Sequence, residues 1–289
     1  MTTLYLDIET FHETVNLKVS GTYRYAVGAE VMLAAWAWGE DLPTVWDFTD
    51  GTRDVRDLQA LIDAADKVVV HNSSFERIVL REQGVDLPLA KIEDTAVIAL
   101  QHGLVKDLDK LCSILGVPES ESKLKEGGKL INLFCSPCPK NWKLRRATRE
   151  SHPEEWQRFQ AYAAMDIVSM REVSRRLPRW NCTPLERHYF ELDQRINDRG
   201  FTVDVELAHA AQAAFQRLAK GLAVRTKDLT GGAVSSTTER EKLLVYLQQA
   251  GLDVHDVTKD TVERLLARDD LEPELRELLE IREQASRTT

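Results

Sequence analysis

Two carboxylates, Asp7 and Glu9, lie two residues apart in the first segment with a strand pattern, Leu4–Glu9. Successive side chains of a strand point to opposite faces, so both carboxylates are predicted to share the face opposite Leu4. Neighbouring carboxylates repel each other, and the local sequence supplies no Lys or Arg to offset the repulsion. A divalent cation would offset it. The alternative on this spacing alone is a half-solvated edge strand whose acidic residues face outward.

A third carboxylate, Glu76, follows the predicted strand Lys67–His71 and lies in the first turn of a predicted helix. Two roles remain open for it. Glu76 can join the acidic site, because it lies just beyond the end of a strand. It can also bond the backbone amide at the start of its own helix, because Ser73 and Glu76 fit the S-x-x-E capping box.

A tyrosine and a fourth carboxylate, Tyr162 and Asp166, are four residues apart in the long predicted helix Pro153–Leu177. Residues four apart share one helical face, so the phenol and the carboxylate are predicted to project together. The small residues Ala163 and Ala164 would permit close packing against a sheet. The alternative for this pair alone is a buried Tyr and a surface Asp.

These residues lie in a first half in which predicted strands and helices alternate. Such alternation is typical of an α/β domain with a mixed sheet flanked by helices. The predicted strands are Leu4–Glu9, Val31–Trp38, Thr44–Phe48 and Lys67–His71. The predicted helices are Val55–Ala65, Phe75–Gln83, Thr95–Gln101, Asp107–Leu115 and Pro153–Leu177. The stretch that contains Gly21–Tyr25 is predicted to be irregular.

The second half has an almost wholly helical pattern from Thr183 onward. Pro178 and Pro184 interrupt the helical sequence between the halves, because proline breaks a helix interior. Helices are predicted at 184–199, 205–229, 239–250, 259–267 and 273–286. We therefore expect two domains, 1–180 and 181–289.

The composition is that of a soluble globular protein, since 43% of the 289 residues are hydrophobic and 29% are charged. No apolar run is long enough to span a membrane, and strand sequence begins too early to leave room for a signal peptide. Four cysteines fit a reducing compartment better than a disulfide framework. Cys135 and Cys138 form a lone C-x-x-C pair, which lacks the second pair that a zinc site would need.

The net charge of -9 disfavours a protein that binds duplex DNA through a generally basic surface. One short segment is basic nevertheless, and it includes Trp142. Positive charge follows phosphates and an aromatic ring can stack on an unpaired base, so this segment could contact a single strand. The commoner alternative is a solvated charged surface. The basic residues of the segment are Lys140, Lys143, Arg145, Arg146 and Arg149.

The acidic motifs occur in a definite order: D-x-E on the first strand, N-x-x-F-E after a later strand, and Y-x-x-x-D on a helix. In this α/β context the order resembles the proofreading 3′–5′ exonuclease domain of family A DNA polymerases, with phage-type members most similar. More broadly it resembles the DEDD superfamily, which has an RNase H-like fold. Further similar segments are Gly21–Tyr25, Glu93–Thr95 and Gly128–Cys135. The resemblance covers most of residues 1–180.

The resemblance implies a metal-dependent site of the tyrosine subtype, because Ala161 stands where histidine-type members carry His. Tyr162 is implied to orient the attacking water. Many members have Asp in place of Glu76, whose carboxylate lies one carbon farther from the backbone. The implied metal-binding carboxylates are Asp7, Glu9, Glu76 and Asp166.

The implied cofactors are two ions of Mg²⁺ or Mn²⁺, which oxygen ligands select. Two ions about 3.5–4 Å apart can clamp an in-line phosphoryl displacement. The implied reaction removes nucleoside 5′-monophosphates from the 3′ end of single-stranded DNA. The residues expected to hold the terminal nucleotide or the strand are Thr10, Asn72, Phe75, Lys143, Arg145 and Arg146.

The second half extends the resemblance, because Leu192–Asp204 is similar to the join between exonuclease and polymerase, and Leu279–Arg287 to the approach to the thumb. Palm and fingers motifs of the family are not found, so we expect no polymerase activity from this chain alone. The missing polymerase portion is a candidate partner in trans. Its docking surface would be the helical second half, whose apolar face would otherwise need burial within this chain. That face is formed by Leu265, Leu266, Leu275, Leu278, Leu279 and Ile281. The expected location is the cytoplasm of a bacterial or phage-infected host cell, with no membrane partner.

Two other functions remain open from the sequence. An RNA-trimming exonuclease of the RNase D type shares the tyrosine subtype, although the polymerase-like second half favours DNA. A non-catalytic exonuclease fold could instead serve as a scaffold that binds DNA or a polymerase. Glu76, in place of the more usual Asp, leaves that alternative open.

Overall fold

The structure, a computed structural model, describes residues 2–118, 127–138, 141 and 144–286. The chain forms two compact units, Met1–Arg199 and Gly200–Thr289. No helix in the described ranges is both long enough and apolar enough to cross a membrane.

The first unit is built on a five-stranded sheet with the order β3-β2-β1-β4-β5. The strands are β1 (Thr3–Phe11), β2 (Glu30–Trp38), β3 (Thr44–Asp47), β4 (Lys67–Val70) and β5 (Ile92–Asp94). β2 pairs antiparallel with both β1 and β3, whereas β4 pairs parallel with β1 and β5. The predicted fold class, an RNase H-like mixed sheet flanked by helices, is confirmed. The edge-strand interpretation of Asp7 and Glu9 is wrong, because β1 lies at the centre of the sheet.

Both faces of the sheet are covered, and the two faces of β1 enter different cores. Leu4, Leu6 and Ile8 pack in one apolar cluster, as their alternation predicts. Tyr5 faces the opposite side, where it packs with Phe134 and Phe159 in a second cluster. Asp7 and Glu9 share the Tyr5 face, so they lie at a layer of helices rather than in bulk solvent.

The helices of the first unit among the described residues are α1 (Leu17–Ala26), α2 (Leu58–Ala64), α3 (Ser73–Glu82), α4 (Thr95–Gln101), α5 (Leu108–Ile114), α6 (Gly127–Phe134), α7 (Pro153–Arg176) and α8 (Pro184–Arg199). α1 replaces the predicted irregular stretch, and Gly21 interrupts it with a φ of 73°. The sequence prediction also lacked α6. It lacked β5 too, which at three residues is too short to show an alternating pattern.

α8 belongs to the first unit, so the units divide one helix later than the predicted boundary at 180–181. Arg77 of α3 explains the attachment. Its guanidinium donates to both carboxylate oxygens of Asp198 at 2.6 and 2.9 Å, and to Gln194 Oε1 at 3.0 Å. Gly200, with a φ of 61°, follows α8 where the helix was predicted to stop.

The second unit is helical, with α9 (Val205–Leu229), α10 (Arg240–Gln249), α11 (Lys259–Leu266) and α12 (Pro273–Ser286). The apolar face considered for docking is instead buried within this unit, which is the alternative that the sequence left open. Leu265, Leu275, Leu278 and Leu279 are buried in its core, Leu266 packs against them, and Ile281 is also buried.

Candidate metal centre

Three of the predicted carboxylates converge on one point. One carboxylate oxygen from each of Asp7, Glu9 and Asp166 lies within 4.8 Å of the other two. Asp7 and Glu9 are contributed by β1, and Asp166 by α7, which packs across the sheet. Residues 159 positions apart in the chain are thereby brought together, as the ordered motifs predict.

Local sequence explains why α7 can approach β1 so closely. Asp7 lies opposite Ala35 of β2, and Glu9 opposite Leu33. Ala163, beside Tyr162 on α7, is fully buried in the same cluster as Ala35. The small side chains of Ala35 on β2 and Ala163 on α7 leave room for the helix to pack on the sheet, as predicted for Ala163. The strand register also shifts between Glu9 and Thr10, which ends the regular alternation just past the acidic pair.

Tyr162 lies beside Asp166, with its side chain almost completely buried. Its ring is nearly parallel to that of Phe159, with centroids 6.3 Å apart and an angle of 5°. Burial raises the pKa of the phenol far above its usual value. The negative charges of Asp166, Glu9 and Asp7, together with a hydrogen bond to Asp166, raise the pKa further. Tyr162 therefore stays protonated, and it can orient a water molecule but cannot serve as a base.

Glu76 is 3% exposed and lies outside the group of three. Burial raises the pKa of its carboxyl well above the usual value, and the charge of Asp7 raises it further, followed by those of Asp94 and Glu9. Glu76 thus lies close enough to Asp7 for the charge of Asp7 to raise its pKa. Its Oε2 atom is buried and has no hydrogen-bond partner among the described residues.

The capping-box alternative for Glu76 is wrong. Asn72 occupies the N-cap position of α3, and Ser73 is already the first helical residue. The backbone amides of Asn72 and Ser73 donate to the carboxylate of Asp94, at 3.1 and 2.6 Å. Glu76 is therefore not needed to cap its helix, and its carboxylate is left inside the protein near Asp7.

Asp94 is a positioning residue that sequence reasoning missed. Besides the amides of Asn72 and Ser73 at the start of α3, its carboxylate accepts the amides of Ala96 and Val97 at 2.9 and 3.2 Å. It thus joins the starts of α3 and α4, and it holds Asn72 at a φ of 77°, which non-glycine residues adopt rarely. An Asp before a helix signals the local cap on α4. No sequence pattern signals the bonds to α3.

Cys135, the residue after α6, donates its thiol to Glu9 Oε2 at 3.6 Å. Burial raises the pKa of this thiol well above its usual value, and the negative charge of Glu9 raises it further, so the sulfur stays protonated. The sequence drew attention to Cys135 as half of a C-x-x-C pair and as the end of the similar segment Gly128–Cys135, but it assigned the thiol no role in the site. Its contact with Glu9 joins residues 126 positions apart, which local spacing cannot reveal.

Three of the predicted substrate residues lie next to the carboxylates in the chain, and the structure adds their contacts. The Thr10 hydroxyl is already engaged, because it hydrogen-bonds the Tyr25 hydroxyl at 2.9 Å. Phe75 faces the same tyrosine, with ring centroids 6.1 Å apart. Asn72 is exposed. Tyr25 thus links Thr10 to Phe75, and the roles of Thr10, Asn72 and Phe75 in binding stay predictions.

The described arginines of the basic segment pair with nearby carboxylates, which offset their positive charge. Arg145 pairs with Glu13 at 3.4 Å, and Arg146 pairs with Glu30 at 2.5 Å while lying over the Phe11 ring. Arg149 is likewise paired, with Asp47 and Asp50. Lys140, Trp142 and Lys143 lie outside the described residues. A phosphate contact by Arg145 or Arg146 would therefore compete with an existing carboxylate partner.

The residues present fit a divalent metal. The group of three supplies carboxylate oxygens, which are the donors that Mg²⁺ and Mn²⁺ prefer. The buried and unpartnered Oε2 of Glu76, next to the charge of Asp7, is the kind of atom that a cation would satisfy. Gathering these carboxylates raises the energy of the metal-free protein, and a bound cation would lower it.

One known protein is similar to this chain along the whole chain. The chain is 31% identical over 296 residues to the DNA polymerase of Bacillus phage SP02. That alignment covers 100% of this chain and 45% of the phage protein, so the chain spans less than half the length of this relative. No family model matches the chain.

Two solved structures of the catalytic core of RRP6 from Trypanosoma brucei are similar in shape. The first aligns over 99% of this chain and 74% of that chain, with 13% identity and a TM-score of 0.38. The second, the C496S mutant, covers 98% and 74%, with 11% identity and a TM-score of 0.39. The phage DNA polymerase is similar to this chain over the whole length of the chain, in agreement with the resemblance of its ordered motifs.

Proposed function

We propose that the chain is a metal-dependent 3′–5′ exonuclease that removes nucleoside 5′-monophosphates from the 3′ end of single-stranded DNA. Its role would be proofreading during DNA replication, alongside a polymerase portion on the same or another chain. The observation that carries the proposal is the convergence of Asp7, Glu9 and Asp166. The phage polymerase relative supports DNA as the substrate and the cytoplasm of an infected bacterial cell as the setting.

Asp7, Glu9 and Asp166 would hold the metal, and Glu76 would complete the set. When bound, two divalent ions would withdraw charge from the scissile phosphate and lower the pKa of the attacking water. The chain's own carboxylates would repel the phosphodiester in the absence of metal, because like charges disfavour each other. Substrate binding is therefore coupled to metal binding.

Tyr162 would act on the attacking water through its hydroxyl. The phenol stays protonated and is hydrogen-bonded to Asp166, so its orientation is fixed before substrate arrives. A fixed hydroxyl reduces the freedom of the water that it holds, which favours in-line attack. Phe159, parallel to the tyrosine ring, restricts its rotation.

The test uses the full chain with single-stranded DNA labelled at its 5′ end, in Mn²⁺ or Mg²⁺. We expect the label to pass through successively shorter products while nucleoside 5′-monophosphates accumulate. A 3′-phosphorylated copy of the same strand should resist, because it lacks the free 3′ hydroxyl. Asp7→Ala should reduce the rate by more than about a hundredfold, since even residues that merely hold metal ligands are worth about 10–100-fold. Equal release by wild type and Asp7→Ala would overturn the proposal.

A non-catalytic DNA-binding scaffold is the second candidate, and one observation favours it. Glu76 lies outside the group of three carboxylates, so the structure does not bring the fourth predicted ligand together with the other three. The same assay separates the two functions, because a scaffold would bind the strand without shortening it. Replacing the DNA by RNA of identical sequence tests the remaining alternative, and faster cleavage of RNA would favour an RNA-trimming enzyme.

A further inference from the structure

Helix α6 is packed firmly against α7 beside the candidate metal centre. Phe134, its last residue, is fully buried and stacks on Phe159 with ring centroids 5.2 Å apart. It also meets Trp156 edge-on at 4.9 Å. The amide of Cys135 donates to Ile131 O at 2.8 Å, so the residue after the helix follows its last turn. The position of Cys135 is therefore set by the aromatic packing of α6.

The thiol of Cys135 contacts the carboxylate of Glu9 from this fixed position, with Sγ 3.6 Å from Oε2. The terminal torsion of a glutamate is soft, so each hydrogen bond to its carboxylate restricts the orientation of the carboxylate plane. A thiol is a weak donor, but its acceptor here is a carboxylate, and charged acceptors form the stronger hydrogen bonds. The contact therefore selects one orientation of Glu9.

The other end of α6 contacts a second residue of the site. A Cβ atom added to Gly127 would lie 2.1 Å from Tyr162 Cε2 and 2.7 Å from Cδ2. Those atoms belong to a buried ring that packs in the second apolar cluster, so a side chain at position 127 would clash with Tyr162 where it is. Gly128 differs, because a Cβ atom there would meet nothing within 4 Å.

We propose that α6 and Cys135 together form a positioning element for the metal centre. The Cys135 thiol orients Glu9 for metal binding, and Gly127 lets the helix lie close enough to Tyr162 for both contacts to form. The inference rests on the proposed function in that Glu9 and Tyr162 must belong to the metal-dependent site. It assigns Cys135 and Gly127, neither of which carries a catalytic group, a part in that site.

The first experiment titrates the full chain with Mn²⁺ by calorimetry. Cys135→Ala should weaken Mn²⁺ binding about tenfold, the lower end of the range for residues that hold metal ligands. Cys135→Ser should recover most of the affinity, because the serine hydroxyl is also a donor. Cys138→Ala is the matched control, since Cys138 packs against the same core, and it should bind Mn²⁺ like wild type. The Mn²⁺ concentration for half-maximal DNA cleavage should shift in parallel.

Wild-type affinity in Cys135→Ala, or equal weakening in Cys135→Ala and Cys135→Ser, would overturn the role of Cys135. Because calorimetry needs no turnover, it separates this failure from that of the proposed function. A wild type that binds Mn²⁺ but never cleaves DNA would overturn the proposed exonuclease activity. The test of Cys135 by Mn²⁺ affinity would still stand. A wild type that binds no Mn²⁺ would overturn both.

The second experiment compares Gly127→Ala with Gly128→Ala at saturating Mn²⁺. Gly127→Ala must displace Tyr162, so we expect the rate to fall about tenfold to a hundredfold, as for small misplacements of reacting groups. Gly128→Ala should leave the rate unchanged. In a Tyr162→Phe background Gly127→Ala should cost little more, because both changes remove the same interaction. Additive losses in the double variant, or equal rates for the two alanine variants, would contradict the role of Gly127.

Discussion

In the first unit Asp7, Glu9 and Asp166 bring their carboxylates together, whereas in the second unit the buried Arg282 directs its guanidinium at backbone carbonyls. Arg282 donates to Val257 O and Thr237 O at 3.3–3.4 Å. Like charges that gather are destabilising until something outside the chain neutralises them. A buried charge whose donors meet carbonyls is stabilised by the chain itself. The first arrangement is suited to a ligand and the second to structure.

The two units can be followed separately in one sample, because all six tryptophans lie before residue 181. Tryptophan fluorescence therefore reports the unfolding of the first unit alone. Circular dichroism reports the helices of both units. These two signals, together with the cleavage rate, distinguish effects at the carboxylates from effects at Arg282.

Asp166→Asn should produce the largest effect. We expect the cleavage rate to fall by more than about a hundredfold, because the substitution removes a proposed metal ligand. The metal-free protein should not become less stable by tryptophan fluorescence, because one member of a repelling group has lost its charge and can still accept the Tyr162 hydrogen bond. A large loss of metal-free stability would mean that the carboxylates are structural, like Arg282.

Addition of Mn²⁺ should stabilise the first unit and not the second. A ligand at a hundred times its Kd stabilises the folded state by about 2.7 kcal/mol. For a domain of this size about 1 kcal/mol moves the melting midpoint by about 2–4 °C. The melting midpoint measured by tryptophan fluorescence should rise accordingly. The melting transition of the second unit, which only circular dichroism detects, should keep its midpoint. Equal shifts in both signals would point to nonspecific binding.

Arg282→Met should destabilise the second unit by about 1–3 kcal/mol, because two buried carbonyls lose their donors. Dichroism should show the change, while the cleavage rate and the fluorescence midpoint stay as in wild type. Arg225→Met is the control, because Arg225 forms a largely exposed pair with Glu277 and such pairs contribute about 0–1 kcal/mol. If Arg282→Met were as stable as wild type, the buried guanidinium would not contribute to the stability of the second unit.

Glu76→Gln should have the smallest effect, visible as a change in pH dependence. The pKa of Glu76 is raised in the folded state, so the folded protein binds a proton more tightly than the unfolded chain. Its contribution is therefore fully present below the unfolded value of about 4.5 and is lost as pH rises toward the folded pKa. In EDTA the free energy of unfolding of wild type should fall with rising pH relative to Glu76→Gln.

The control for that measurement is Glu82→Gln, on the exposed end of the same helix. Its pH profile should follow wild type. If the wild-type and Glu76→Gln profiles run parallel in fluorescence-monitored unfolding, Glu76 is not held in its neutral form by burial and by Asp7. In that case the fourth carboxylate would have to be ionised even without metal.

The parts of the site that follow from local periodicity could be predicted from the sequence. Alternation placed Asp7 and Glu9 on one face, and helical spacing placed Tyr162 beside Asp166. The side-chain bonds of Asp94 and Cys135 could not be predicted, because they join residues far apart in the chain. Helix α1 could not be predicted either, since Gly21 interrupts it and its pattern is only weakly amphipathic.

The bond between Arg77 and Asp198 decides where this protein can be divided. Arg77 is next to Glu76 in α3, is 6% exposed, and takes both of its described side-chain acceptors, Asp198 and Gln194, from α8. A cut at the sequence boundary of 180–181 would remove both of these acceptors together with α8. A piece of the chain that keeps Arg77 paired must therefore include α8 and extend to Arg199.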